Sequence, residues 1–330
     1  MKAITYHRYG DPDVVGLEEV PTPSPAEGEI LVRVHAGVVT PSDGAARKGQ
    51  PFLIRLMGGI RRPKQPILGS EIAGEVAAVG TGVTRFKEGD RVMAATGDTY
   101  GGHAEYVVLA QDAAVEHMPA DATFEQGVAL AEGPVTAMPF LRDHGKVERG
   151  MHVLINGGSG SVGSAAIQLA RYLGAEVTGV ASTANQELMR KLGADHVIDY
   201  TQADFTAARD RYDVVFDVAG VSSFGAVKDA LREGGVYLDT YPSMNTMWHQ
   251  LVATRFGSRK AVFAATGLRK PEQKRPDLVL FRELFESGRL TPVIDRTFPM
   301  EQAAQAHAYV DTGHKTGNVV LRLAGAGSGA

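Results

Sequence analysis

Residues 151–174 read MHVLINGGSGSVGSAAIQLARYLG, and the order of parts in this stretch decides the fold. A short apolar run, MHVLIN, gives way at once to Gly158-x-Gly160-x-x-Gly163. Then comes SVGSAAIQLARYLG, whose apolar residues recur at helical spacing. Taken alone, a glycine cluster is only a turn. Set between a strand and a helix, with a second strand starting about 13 residues beyond Gly163, it acquires a specific geometry. One glycine permits the tight turn, the next lets a pyrophosphate approach the backbone, and the third lets helix and strand pack closely. The helix amino terminus offers N–H groups and a partial positive charge to the phosphates. Gly158, Ser159, Gly160, Ser161, Val162 and Gly163 are therefore expected to hold a dinucleotide.

Downstream of this stretch the same texture repeats. AEVTGVA, DHVIDY, YDVVFDVAG, VYLDT and KAVFAAT read as strands, and NQELMRKLGA, FTAARDR and SSFGAVKDALREGG as the helices between them. Strands alternating with helices over short loops demand parallel pairing through right-handed crossovers, hence a doubly wound α/β sheet. Upstream, ITYHRYG, EILVRVHAGVV, GEVAAVG, DRVMAAT and AEYVVLA are short β-like runs separated by Gly, Pro and Asp. They fit a partly closed antiparallel barrel, with GTGVTRFKEGDRV read as strand, turn at Gly89-Asp90, and strand. Near the end, PDLVLFRELFESG and MEQAAQAHAYVDTG read as helices and TPVIDRTF and NVVLRLA as strands that return to the first domain. The boundaries expected are 1–124 with 268–330 for the β-rich domain and 125–267 for the parallel one. The final AGAGSGA reads as a flexible tail.

Bulk composition narrows the function. The chain has 330 residues, 44% apolar and 22% charged, which suits a globular protein with two cores. A net charge of −4 gives no basic excess for a nucleic-acid partner. MKAITYHRYG lacks a signal-peptide apolar region, and no run approaches the roughly 20 apolar residues of a membrane span, so a cytoplasmic location is expected. With no cysteine, disulfides, thiolate nucleophiles and cysteine-containing zinc sites are ruled out. The ten histidines form no HxxH or HxxxH pair.

The end of the second strand of the parallel set bears on which dinucleotide binds. NAD selectivity rests on a carboxylate there that accepts from the ribose hydroxyls. In GVASTANQE the positions are Ala181, Ser182 and Thr183, and the first acid is Glu187, already in the next helix. Nothing there repels a 2′-phosphate, and two hydroxyls can donate to it, so NADPH is the expected cofactor. No Arg or Lys falls within 181–186, which leaves Arg190 or Lys191 to supply positive charge. Ser182 and Thr183 also suit helix capping.

LGSEIAGEVAAVGTGVTRFKEGDRV, GGHAEYVVL, INGGSGSVGSAAIQLARYLGAEVTGV, LGADHVIDY, RLTPVIDRTFPMEQAAQAH and GHKTGNVVL together resemble the medium-chain dehydrogenase/reductase superfamily, in its zinc-free quinone oxidoreductase branch. The resemblance covers essentially the whole chain. It implies a GroES-like β-barrel catalytic domain, an inserted Rossmann domain, an active site between the two, and a homodimer. It implies that Tyr200 lies beside the 2′-phosphate, and that the backbone around Tyr241 and around Phe263, Ala264 and Ala265 meets the nicotinamide ribose and carboxamide. Zinc-dependent members carry Cys-His-Thr-Asp where this chain has Thr40-Pro41-Ser42-Asp43, Gly-His-Glu where it has Gly69-Ser70-Glu71, and another cysteine near Glu132-Gly133-Pro134. All three ligand positions are vacant. Asparagine often stands at the Thr40 position in zinc-free members, and His103 replaces an aromatic residue in their GG-Tyr/Phe-AEY segment.

Chemistry follows from that vacancy. Oxidising an unactivated alcohol calls for deprotonation by a Lewis acid, whereas hydride addition to a quinone or an α,β-unsaturated carbonyl needs only orientation and donors for the developing oxyanion. Thr40 and Thr136 are the candidates to bond the substrate carbonyl or the nicotinamide ribose, with packing or capping as their other reading. Asp43 and Glu71 read as partners of a buried arginine or backbone N–H. PFLIRLMGGIRRPKQP (residues 51–66) reads as a lid or a surface helix, with Phe52, Leu53, Leu56 and Met57 as an apolar wall and Arg55, Arg61, Arg62 and Lys64 as a basic rim. Two other functions stay open here: a metal-free alcohol/ketone oxidoreductase, and a non-catalytic NADPH-binding protein.

Overall fold

The structure is a computed structural model that describes residues 1–97, 100–241 and 258–323. The AGAGSGA tail lies outside the described residues. The chain divides into two compact units: residues 1–132, 269–283 and 293–330, and residues 133–268 and 284–292.

The first unit opens with β1 (Lys2–Thr5), β2 (Gly16–Glu19), β3 (Glu29–Val39), α1 (Pro41–Lys48), α2 (Phe52–Gly58), β4 (Glu71–Val79), β5 (Arg91–Ala95), β6 (Tyr106–Ala110) and β7 (Val115–His117). Its axis is β3, where Ile30, Val32, Val34 and Ala36 alternate inward and are fully buried while Glu29, Leu31, Arg33 and His35 are only half-buried. β3 pairs antiparallel with β4 on one side and β6 on the other. The expected strand over GTGVTRFK is not formed. Residues 80–90 are loop, because Phe86 sinks into the core and Gln111 Oε1 accepts the N–H groups of Thr84 and Arg85 that a ladder would need.

The second unit holds α3 (Phe124–Pro139), which begins in the first unit, then β8 (His152–Asn156), α4 (Ser161–Tyr172), β9 (Glu176–Ala181), α5 (Gln186–Lys191), β10 (His196–Asp199), β11 (Tyr212–Asp217), α6 (Phe224–Val227), β12 (Leu231–Asp239) and β13 (Lys260–Phe263). The six strands pair in the order β10-β9-β8-β11-β12-β13, every pair parallel. This is the doubly wound Rossmann order, with its switch point between β8 and β11. Val153, Leu154 and Ile155 are all fully buried, as strands covered on both faces must be. Two expected helices are shorter than their sequence pattern. FTAARDR makes only a 3-10 turn at Phe205–Ala207, and the helix read through residue 235 ends by Ala230, because Leu231–Gly235 join β12 ahead of a register shift.

The chain then returns through α7 (Pro271–Glu286), β14 (Ile294–Pro299), α8 (Ala303–Asp311) and β15 (Asn318–Arg322). β15 joins β3, so the last strands complete the first unit's sheet rather than extend the parallel one. Among the described residues no helix is long and apolar enough to cross a membrane.

Candidate functional site

The glycine turn sits where the sheet order reverses. Gly157, just outside the motif as spelled, takes the positive φ of +85°, and the N–H groups of Gly157 and Gly158 donate to Val180 O of the neighbouring strand at 3.1 and 3.0 Å. Gly163 is required for contact: a Cβ there would lie 2.1 Å from Gly157 O. Gly160 precedes the first turn of α4 and makes no side-chain cap, and a Cβ on it would meet only Gly157 O at 3.6 Å, so the ground above the turn is open. A glycine cradle closed below, open above and continued by a 12-residue helix fits a dinucleotide pyrophosphate. Gly158 to Gly163 hold this position, with Ser159 Oγ receiving Asn185 Nδ2 at 3.3 Å.

At the end of β9, Ser182 precedes a 3-10 turn and its side chain makes no capping bond. Thr183 is occupied: its hydroxyl donates to Asp199 Oδ2 at the end of β10. Tyr200 follows at 55% exposure, with its N–H on Ala181 O. The two cations the sequence offered are engaged along their own helix, Lys191 with Glu187 at 2.8 Å and Arg190 with Gln186 Oε1 at 3.3 Å.

The switch point itself carries a network that sequence reasoning missed. Asp217, fully buried, accepts Asn156 Nδ2 at 2.9 Å, Tyr237 OH at 3.0 Å, Gly220 N at 3.0 Å and Ser222 N at 2.8 Å. Burial raises the Tyr237 hydroxyl pKa, and the Asp217 charge adds to the shift. Only strand order brings Asn156 beside Asp217; the one available signal was that two polar residues end otherwise apolar strands. Tyr241 N donates to Asp239 Oδ1 at 2.9 Å at the end of β12, and Phe263 ends β13, with Ala265 O accepting from Leu268 N. These positions therefore share the carboxyl edge of the sheet with the glycine turn.

In the first unit a second polar centre forms around α1. Thr40 is 5% exposed and builds a capping box with Asp43: Thr40 N donates to Asp43 Oδ2 at 2.8 Å and Asp43 N to Thr40 Oγ1 at 3.2 Å. Thr40 Oγ1 also lies 2.7 Å from both Asp43 Oδ2 and Ser42 Oγ, and Ser42 is exposed. Asp43 receives Gly69 N as well, so it serves backbone N–H groups as expected; buried Arg47 pairs with Asp311 instead. Glu71 takes a bond from Ser70 Oγ at 3.0 Å, and burial first, then the nearby Glu132 and Asp43 charges, push its carboxyl up to about 8. Behind this centre His103 Nε2 donates to Val38 O at 2.8 Å, and His307 packs edge-on to it at 6.0 Å with neither ring nitrogen hydrogen-bonded. Burial, then the His103 charge, push the His307 pKa down to about 4. Thr136 lies half-buried on α3 in the second unit.

Residues 26–120 match the alcohol dehydrogenase GroES-like domain and residues 192–321 the zinc-binding dehydrogenase family. A chloroplast envelope quinone oxidoreductase homolog of Arabidopsis thaliana is 31% identical, with 97% of this chain and 98% of the relative covered. The chain belongs to the quinone oxidoreductase branch of the medium-chain dehydrogenase/reductase superfamily. It is an oxidoreductase of that family, with a nicotinamide cofactor domain. An NADPH-dependent alkenal/one oxidoreductase from Arabidopsis chloroplasts is 33% identical over 97% of this chain and 79% of the relative. A quinone oxidoreductase structure from Coxiella burnetii superposes with a TM-score of 0.85 at 30% identity, covering 98% and 99% of the two chains.

For a quinone oxidoreductase-type chain matching a zinc-binding family, the donor set at the ligand positions matters. Thr40 and Ser70 offer neutral hydroxyls already bonded to Asp43 and Glu71, and Glu71 favours its protonated form. Among the described residues no group of three or more His, Asp or Glu side chains is placed to hold a metal. These residues do not fit zinc. In α2, Phe52, Leu53, Leu56 and Met57 are 54–70% exposed, while Arg55 turns inward onto the Tyr9 ring and the carbonyls of Gly49 and Lys48. Arg55 therefore leaves the basic rim that was expected of it.

Proposed function

We propose that this oxidoreductase is an NADPH-dependent, zinc-independent reductase of quinones or α,β-unsaturated carbonyls, acting as a cytoplasmic homodimer. The observation that carries the reading is the open glycine cradle at the switch point of an all-parallel sheet, in a chain where hydroxyls, Thr40 and Ser70, stand at two of the three zinc-ligand positions. NADPH preference is supported by the absence of an acid at the end of β9, with Ser182 and Tyr200 as donors to a 2′-phosphate. When bound, the cofactor supplies a hydride. Gly158 to Gly163 hold its pyrophosphate, and the edge formed by Tyr241, Phe263 and Ala265 orients the nicotinamide end through main-chain groups.

Thr40 and Thr136 are the proposed hydroxyls toward the substrate carbonyl or the nicotinamide ribose. Thr40 works through Ser42: Thr40 Oγ1 gives its one hydrogen to Asp43 Oδ2 at 2.7 Å, which leaves Ser42 Oγ, also at 2.7 Å, to donate to Thr40 Oγ1. When a carbonyl oxygen arrives, Ser42 turns its hydrogen outward and Thr40 turns its own from Asp43 to Ser42. Asp43 keeps its backbone donors. The substrate gains a hydride at the β-carbon, its electron pair moves to the oxygen, and solvent completes the proton count.

Steady-state assays of NADPH oxidation against a panel of enones and quinones test the proposal. Turnover well above background with at least one acceptor is expected, and none with simple alcohols in reverse. No turnover with any acceptor overturns it.

A further inference from the structure

The carboxylate missing from the end of β9 is brought there by its neighbour. Asp199, the last residue of β10, pairs in register with Ala181, the last residue of β9. Its Oδ2 receives the Thr183 hydroxyl, and its Oδ1 receives the Thr201 N–H at 2.9 Å and hydroxyl at 2.7 Å. These bonds, Thr183's first, hold the carboxyl below its usual range, so it is ionised at neutral pH. No Lys or Arg among the described residues pairs with it; Lys191 and Arg190 are engaged with Glu187 and Gln186. A half-buried anion therefore stands against Thr183, one residue beyond Ser182, at the edge where a doubly wound sheet receives the adenosine ribose.

Resting on the reading that this edge takes a nicotinamide dinucleotide, we infer that Asp199 is a cofactor-selectivity residue. Its carboxylate, fixed by Thr183, accepts from a free ribose 2′-hydroxyl and opposes a 2′-phosphate. NADH is thereby admitted beside NADPH, and the preference created by the missing acid on β9 is kept small. Like charges a few ångströms apart repel, and a phosphate monoester carries more charge than a hydroxyl by roughly −1.5 to −2. The opposition is partly screened because the site is open to solvent, so it weakens with salt.

The test is calorimetric titration of the full chain with NADPH, NADH, 2′,5′-ADP and 5′-AMP, before and after Asp199→Asn. Asparagine keeps the shape: its Oδ1 can still accept from Thr201, and its Nδ2 donates to the Thr183 hydroxyl where the carboxylate accepted from it. Affinity for NADPH and 2′,5′-ADP is expected to rise about tenfold, while NADH and 5′-AMP stay within twofold or weaken. Asp199→Ser, neutral and smaller, is expected to move the same ratio in the same direction, with thermal unfolding recorded for both variants. An unchanged ratio, or equal weakening of all four ligands, overturns the inference, the second result marking Asp199 as a prop for the loop. If the unaltered chain binds neither dinucleotide, the cofactor reading itself falls, which is a separate failure.

Discussion

Two polar centres of this molecule are built in opposite ways. At the switch point of the parallel sheet, the groups proposed to meet the dinucleotide are main-chain, contiguous from Gly157 to Gly163, and shaped at Gly163 by what is absent, a Cβ. Around α1, the groups are side chains drawn from Thr40, Ser42, Asp43, Ser70 and Glu71, packed against one another until their protons are shared or displaced. At Gly163 the first arrangement tolerates no added atom. The second tolerates changes of shape but not of charge. An anion-binding backbone needs room, whereas a buried hydroxyl–carboxyl cluster needs every donor matched to an acceptor.

The largest expected effect attacks the first centre. Gly163→Val places carbon against Gly157 O, which is backbone and cannot swing aside. Loss of dinucleotide binding by more than about a hundredfold and destabilisation of roughly 3 kcal/mol are expected, read by calorimetry and denaturant unfolding. Near-normal binding would show that helix α4 does not depend on this contact.

The next effects are on charge at and behind the α1 centre of the first unit, and they run in opposite directions with pH. Glu71 is pushed up to about 8, so between about 4.5 and 8 the folded chain keeps a proton that the unfolded chain has lost. Stability therefore falls as pH rises through that window, by about 1.4 kcal/mol per pH unit while one group titrates alone. His307 is pushed down to about 4, so between about 6.5 and 4 the folded chain binds fewer protons, and stability falls as pH falls. Unfolding midpoints across pH are expected to flatten on the alkaline side in Glu71→Gln and on the acid side in His307→Leu. Unaltered limbs would show that these groups are not the ones titrating.

Thr40→Val removes the hydroxyl from the capping box. A loss of about 1–2 kcal/mol is expected from the cap alone, with turnover reduced more than cofactor affinity. Smallest of all is Lys191→Ala. With its charge already balanced by Glu187 on an exposed helix face, stability is expected to change by less than about 0.5 kcal/mol and NADPH affinity by less than about threefold. A large loss would assign that lysine to the phosphate after all.

The same contrast explains what could be read in advance. The strand–glycine–helix unit was legible because its signals are local: apolar run, Gly spacing and helical periodicity all lie within residues 151–174. The loop at 80–90 and the early end of the helix before Leu231 were misread because β-like or helix-like composition yielded to long-range partners, Gln111 in one case and the β11 ladder in the other. The bond from the Thr183 hydroxyl to Asp199 joins residues 16 positions apart and carries no local signal in the sequence.

By itself the sequence determined the alternation of strands and helices, the glycine turn, the lack of thiols and the empty ligand positions, because these depend on residue type and near spacing. Only the tertiary structure decided which strand lies beside which. That choice sets Asn156 against Asp217, Asp199 against Thr183 and Glu71 within reach of Asp43 and Glu132. Charge and hydrogen bonding act through distance in space, and a chain folded into parallel crossovers makes neighbours of residues that sequence order keeps far apart.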